Sequence, residues 1–452
     1  MAKHRRIKEQ KQRDIQRQPD QRPPLIFCCH HRNAGLCTLL IILIACLLGF
    51  CFILYLSLWV PPLVFKPRYQ DSVASTHAYH SPEDFKLDYE QMEREFKVFM
   101  YPDLDESYYQ TPLSLTGKYA SEGYFVKNLM ESQFLTHDPD EAHLFFFPIF
   151  CTQTKAANVR TSENLTSNVE KFFQKLIHKY PYWNRTLGAD HFFVTCYDTG
   201  VEATERVPLL VKNSIRVVCS PSYAVGYNPH KDVSLPPVKL PVFLPADRNN
   251  DTKSRTTFAL WRGRINSELR AKLEIMWEND SEFEIISNND SEFEIISNPI
   301  KYTSEGFRSN RTKFSTTKFC ICAHGANDNT PCILDSILYG CVPVIISDYN
   351  DLPFSDILDW STISFTLKES DVHLLKAVLL SVSDAVYETM HKSILEIQKH
   401  FHWHSFTIKY DSFHMVMYEL WLRRHVIKYP RQRVSISLHA ERNEAHADIF
   451  ID

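Results

Sequence analysis

The feature that most constrains this chain is a long stretch without a charge. From Leu36 to Phe65 no Asp, Glu, Lys, Arg or His occurs. As a helix, Leu36–Val60 would measure roughly 37 Å, enough to cross a bilayer core of about 30 Å with some tilt. Pro61-Pro62 closes it. The run is too long for the apolar core of a cleaved signal peptide, and no small-residue cleavage site follows. Lys3, Arg5, Arg6, Lys8, Lys11, Arg13, Arg17, Arg22 and Arg32 precede it, whereas only Lys66 and Arg68 follow closely. The positive-inside rule then puts the N-terminus in the cytosol and the rest of the chain on the far side. The alternative is a buried core helix, but charge-free runs this long are rare in soluble folds. The expected organisation therefore begins with a basic tail (1–35), a single N-terminal transmembrane signal-anchor helix (36–60) and a stem of little hydrophobic periodicity (61–92).

The remainder carries the marks of a secretory lumen. N-x-S/T sequons begin at Asn164, Asn184, Asn250, Asn279, Asn289 and Asn310. Of the 12 cysteines, Cys28 and Cys29 are juxtamembrane and open to palmitoylation, and Cys37, Cys46 and Cys51 lie in the span. Cys151, Cys196, Cys219, Cys320, Cys322, Cys332 and Cys341 are lumenal, where disulfides persist, and their odd number leaves one without an intramolecular partner. With 44% hydrophobic and 23% charged residues the chain is ordinary for a globular protein. A net charge of −4 gives no argument for a nucleic-acid partner.

Beyond the stem, strand and helix signals alternate. Lys97–Tyr101, His143–Phe150, His191–Thr195 and Ile215–Cys219 read as strands, with helices at Ser121–Phe134 and Asn164–Tyr180. After a Pro-rich, polar linker at Pro236–Arg255 the pattern resumes. Strands are expected at Thr257–Trp261, Phe283–Ile286, Lys318–Cys322 and Val342–Ile346, and helices at Pro331–Tyr339, Asp371–Val382 and Ser412–Val426. Apolar runs separated by helices imply parallel sheets covered on both faces. Two such units, 93–240 and 250–400, read as Rossmann-like domains facing a cleft, followed by a C-terminal helix and tail (401–452). One exact duplication stands out: Asn279–Asn288 and Asn289–Asn298 are both NDSEFEIISN. Two copies make no solenoid, so the second reads as a surface insertion.

Several long segments carry a resemblance. They include FKVFMYPDL (96–104), HDPDEAHLFFFP (137–148), RVVCSPSYAVGYNPHKDVSLP (216–236), KFCICAHG (318–325) and YGCVPVIISDYNDLPFSDILDW (339–360). On these the chain resembles the exostosin family of glycosyltransferases, in particular its plant branch, from about Phe96 to about Trp421. The resemblance implies a GT-B-like α/β fold and transfer of a sugar from a nucleotide diphosphate donor, with inversion. It implies no metal and no cofactor beyond that donor substrate. It also implies a cell-wall polysaccharide or glycoprotein-glycan acceptor, a Golgi membrane location, and homo- or hetero-oligomers with related transferases.

The chemistry names candidate residues. Departing diphosphate needs stabilisation, the acceptor hydroxyl needs a base, and both must be held in line. On the donor side, Arg262 and Arg264 beyond the strand Thr257–Trp261 suit a diphosphate clamp, the bland alternative being solvated surface arginines. His324 and Gly325 form the next loop. Thr330 is a natural N-cap and Pro331 a natural first-turn residue, so the helix start offers N–H groups to phosphate. The resemblance gives Asp335 a contact with the ribose. On the acceptor side, candidates for general base are Asp198, Asp103 and Glu122, at the carboxyl ends of strands or a helix start. Two metal patterns are weaker. Asp103/Asp105 and Asp138/Asp140 form short D-x-D motifs, and His400, His402 and His404 alternate without a completing ligand. No metal is expected. The donor loop departs from the family's pattern: Ala323 and His324 replace a Pro-Arg pair, and Cys332 stands where an arginine is usual. Cys332 is therefore expected to be the unpaired seventh thiol, beside the donor cleft. A catalytically weak paralogue, acting as partner subunit or glycan-binding module, is the second reading.

Overall fold

The computed structural model describes residues 77–424 with internal breaks, the longest at 103–114, 150–161, 239–251, 288–312 and 326–330, together with helical residues 43–45 and 47–49. Most of the expected anchor lies outside the described residues. Among those described, no helix is long and apolar enough to cross a membrane. Contacts divide the chain into two units, 1–66 and 67–452.

The second unit holds two sheets. One comprises β1 (Val98–Met100), β2 (Leu135–Thr136), β3 (Leu144–Phe146), β4 (His191–Thr195), β5 (Ile215–Val218) and β6 (Val233–Ser234), in the order β2-β1-β3-β4-β5-β6. The other comprises β7 (Thr257–Gly263), β8 (Phe283–Ser287), β9 (Thr317–Ala323), β10 (Val342–Ile346) and β11 (Phe365–Leu367), in the order β11-β10-β9-β7-β8. Every pairing is parallel. Counted from its own first strand, the first sheet runs 2-1-3-4-5-6 and the second 2-1-3-4-5, so each reverses direction between its first and third strands. Two parallel sheets of this order in one unit make a GT-B-like α/β fold.

Local sequence explains the elements. Parallel strands are covered on both faces, and β3, β4, β5 and β10 are buried throughout. The helices α1 (Pro82–Glu95), α2 (Ala120–Glu131) and α3 (Ser162–Lys179) precede β1, β2 and β4. Along α3, Leu165, Val169, Phe172, Phe173 and Leu176 recur at helical spacing and are all buried. The short helices α4 (Asp198–Glu205) and α5 (Pro208–Asn213) link β4 to β5, and α6 (Glu268–Trp277) links β7 to β8. Next come α7 (Pro331–Leu338), α8 (Leu375–Leu380), α9 (Asp384–Ile397) and α10 (Ser412–Arg423). The helix expected at Asp371–Val382 is split into a 3-10 turn at Glu369–Leu374 and α8.

The expected stem is corrected. Residues 78–95 pack into the catalytic unit: Ala78 and Tyr79 are buried, Tyr79 bridges to Leu358, and α1 buries Tyr89 and Met92. Tyr89 stacks on Tyr410, with ring centroids 4.1 Å apart, and its hydroxyl accepts the Tyr410 N–H. Asp88 accepts from Tyr418 and Trp421 of α10. The signal was a narrow stripe, Phe85, Tyr89 and Met92, masked by acidic neighbours and by Leu87, which is exposed.

Helix α10 ties the halves together. Arg423 donates to Asp356 beyond β10 and to the carbonyls of Pro229 and Asp232 before β6. Glu419 lies 2.9 Å from the same guanidinium.

Candidate functional site

In a sheet of this order, ligands bind beyond the carboxyl ends of the strands that flank the reversal. In the second sheet those strands are β7 and β9. Strand β7 runs two residues further than expected, so Arg262 lies within it and Arg264 just beyond. Strand β9 ends at Ala323, and the His324 N–H continues the ladder by donating to Ile346. The loops after the two strands are joined by α6. Its N-cap Ser267 accepts from the Arg270 N–H and donates to the His324 carbonyl.

Arg270, in the first turn of α6, makes the larger connection. Its Nε and Nη2 donate to the Ala323 carbonyl at the end of β9, and Nη1 donates to Arg264 O and Asn266 Oδ1 beyond β7. Burial alone pulls its pKa down. Gly325 is explained by the same side chain: a Cβ there would lie 2.6 Å from the Arg270 Cζ. These contacts bring Arg264, Arg270, His324 and Gly325 together, with Arg262 two residues earlier on β7.

On the other side of the β9 loop is the main correction. Cys332 is not a free thiol. It forms a disulfide with Cys322, tying the end of β9 to the first turn of α7. Cys320 pairs with Cys341 and Cys196 with Cys219. Cys151 is then the seventh lumenal cysteine, and it lies outside the described residues. Elimination could not assign the odd residue because β9 places Cys320 and Cys322 on one face, each within reach of a different partner. A cross-link stands at the position where the family usually has a cation. Thr330 lies outside the described residues, and Asp335 sits one turn into α7, partly exposed.

In the first sheet, Cys196–Cys219 pins the carboxyl ends of β4 and β5. Glu122, on the first turn of α2, is 2% exposed and accepts the Cys196 N–H at 3.3 Å, so the contact shown ties α2 to the end of β4. Asp198 opens α4, with its side chain outside the described residues, as is Asp103. His191 is structural: its ring joins Tyr101 and Asp190, the latter held below the usual carboxylate range by His191, Thr186 and Arg185. Burial pulls the His191 pKa down, against the pull of Asp190.

Of the two D-x-D pairs, Asp103/Asp105 lies outside the described residues. Asp138 accepts the Asp140 N–H in a turn, and the His400 ring is taken up by Tyr79 and the Tyr410 carbonyl. Among the described residues no three His, Cys, Asp or Glu are placed to hold an ion. Of the sequons, Asn164, Asn184 and Asn279 are exposed, while Asn250, Asn289 and Asn310 fall outside the described residues.

Residues 92–382, from α1 through both sheets to beyond α8, match the exostosin GT47 domain. The chain belongs to the exostosin GT47 family of glycosyltransferases. Among its relatives in Arabidopsis thaliana is the probable glycosyltransferase At3g07620, 32% identical over 79% of this chain and 75% of that protein. A second, At5g03795, is 31% identical over 77% of this chain and 66% of that protein, just under two thirds of its length. A probable glucuronoxylan glucuronosyltransferase of the same plant is 28% identical over 66% of this chain and 67% of that protein. Solved glycosyltransferases, such as the lipopolysaccharide galactosyltransferase WaaB, match with a TM-score of 0.36, too low to carry an argument. In this exostosin-family chain the Cys322–Cys332 disulfide stands at the start of α7 beside the loop after β9.

Sequence reading missed Arg270. The available signal was its position: a cation in the first helical turn opposes the helix dipole, so a side chain placed there needs another reason.

Proposed function

We propose that this chain is a Golgi type II membrane glycosyltransferase that moves a sugar, with inversion, from a nucleotide diphosphate donor to a plant cell-wall polysaccharide. The observation that carries the reading is the pair of loops after β7 and β9, which Arg270 links at the reversal of a parallel sheet within an exostosin GT47 domain. Arginines and free helix N–H groups suit a diphosphate leaving group that no metal neutralises. In this reading Arg262 and Arg264 clamp the diphosphate, His324, Gly325 and Thr330 cradle it, and Asp335 meets the ribose. Asp198, Asp103 or Glu122 takes the acceptor proton in a cleft facing the first sheet.

The relatives named for glucuronoxylan and for β-1,4-xylosyl transfer make xylan-type acceptors, with glucuronosyl and xylosyl donors, the first to try. The membrane reading is supported by the basic tail and charge-free run, and a lumenal site by exposed sequons and three disulfides. The test is nucleotide release by the purified chain from a panel of nucleotide sugars, with and without xylan oligosaccharides. Acceptor-dependent release from one donor is expected. No release from any donor would favour the partner-subunit reading.

A further inference from the structure

At the ends of β7 and β9 lies a cation that no carboxylate among the described residues neutralises. Arg270 bonds only to carbonyl and amide oxygens, of Ala323, Arg264 and Asn266. Among the described residues no carboxylate pairs with it, and one Nη2 hydrogen is left over from these bonds. The arrangement is costly in three ways. The guanidinium is partly buried, it sits in the first turn of α6 against the helix dipole, and it requires glycine at position 325. A buried arginine bonded only to carbonyls can be purely structural, as Arg255 is before β7, but Arg270 differs in lying at the carboxyl ends of the strands that flank the sheet's reversal. The carbonyls that hold it terminate β9 and follow β7, so the charge lies at the reversal of the sheet.

We infer that Arg270 is a positioning residue for the anionic part of the donor: it staples the loops after β7 and β9 together and holds an uncompensated positive charge between them. The inference rests on the donor-site reading above and adds a residue to it. By fixing the Arg264 and Ala323 carbonyls, the staple sets the spacing between Arg262 and Arg264 on one side and His324 and Gly325 on the other. Its bound oxygens are all neutral, so its charge remains available to a diphosphate. Lysine would keep the charge but not the fork that reaches three carbonyl or amide oxygens at once.

The experiment is calorimetric titration of the full-length chain in detergent with uridine diphosphate, guanosine diphosphate and inorganic pyrophosphate, at low and moderate salt, alongside thermal melts. The unmodified protein should bind at least one of the three, more weakly as salt rises. Arg270→Gln should weaken that binding by about tenfold or more and flatten the salt dependence, with Arg270→Lys between the two. Lys272→Gln removes the same charge from an exposed site on α6 and should change little. Affinity in Arg270→Gln within about twofold of the unmodified protein, with a lowered melting point, would make Arg270 a staple only and overturn the inference. Equal weakening by Lys272→Gln would overturn it as well. Should Arg270→Gln not fold, Gly325→Ala decides: it keeps the charge but crowds the guanidinium, so unchanged affinity refutes the positioning role. If the unmodified protein binds none of the probes, the donor-site reading itself fails and takes the inference with it.

Discussion

Replacing Cys332 by serine tests the rebuilt donor loop most sharply. The Cys322–Cys332 bridge closes a loop with a sequence separation of 10. Cross-linking a loop of that length removes roughly 9 cal/mol/K of entropy from the unfolded chain, or about 2.7 kcal/mol at 25 °C. For a cooperative unit spanning 67–452, at roughly 2 cal/mol/K per residue, the melting point should fall by roughly 3 °C. Cys322 is 2% exposed, so its freed thiol stays buried and adds little. The loop between β9 and α7 would lose its tether, so donor KM should rise more than kcat falls. Cys332→Arg restores the residue usual in the family, but here it breaks the same bridge and should lower activity. The assay is thermal unfolding of unreduced full-length protein, with maleimide labelling after unfolding and steady-state kinetics. Labelling of Cys322 or Cys332 in the unreduced parent, or a melting point within about 1 °C of it for Cys332→Ser, would refute the reasoning.

Three further outcomes are expected. Burial raises the Glu419 carboxyl from 4.5 to about 7, against the attraction of Arg423. The native state then holds a proton that the unfolded chain has lost. Stability from this group is full below about pH 4.5 and is lost as pH rises through 7, by up to about 3 kcal/mol. Glu419→Gln should flatten that slope in urea melts, and an identical slope would remove Glu419 as its cause. The first NDSEFEIISN copy supplies β8, and Asp280 within it pairs with Lys376 at 2.7 Å. Because the copies are identical, deleting either leaves one to fill the edge strand, so the melting point should barely move, since loop length costs little; a large drop would mean that both are needed. Protease added to intact vesicles should trim only the basic tail, and loss of the large domain would reverse the topology.

The strands other than β2, β6 and β11 were legible in the sequence because a parallel strand buried on both faces leaves a continuous apolar run, as in HLFFFPIF and VPVII. The last two residues of β7 were not, since Arg262 interrupts its run and only the pairing with β8 reveals the continuation. The two-residue strands β2 and β6 carry too few side chains for any periodicity, and α1 hides a three-residue stripe among acids. At the loops after β7 and β9, residue type sufficed for Arg262, Arg264 and Gly325 but not for Arg270. Its role comes from the carbonyls of Arg264, just beyond β7, and Ala323, at the end of β9, which are far apart along the chain. The partner of Cys332 was equally invisible: cysteine spacing restricts pairings without choosing among them, and the choice was made by the close packing of α7 on β9.

The most direct test of the account is hydrogen exchange of the full-length chain, read by mass spectrometry, with and without a saturating nucleoside diphosphate. Protection is expected in peptides spanning 262–270 and 323–338, at the ends of β7 and β9 and the start of α7. Protection confined to the ends of β1, β3 and β4 in the first sheet would contradict it.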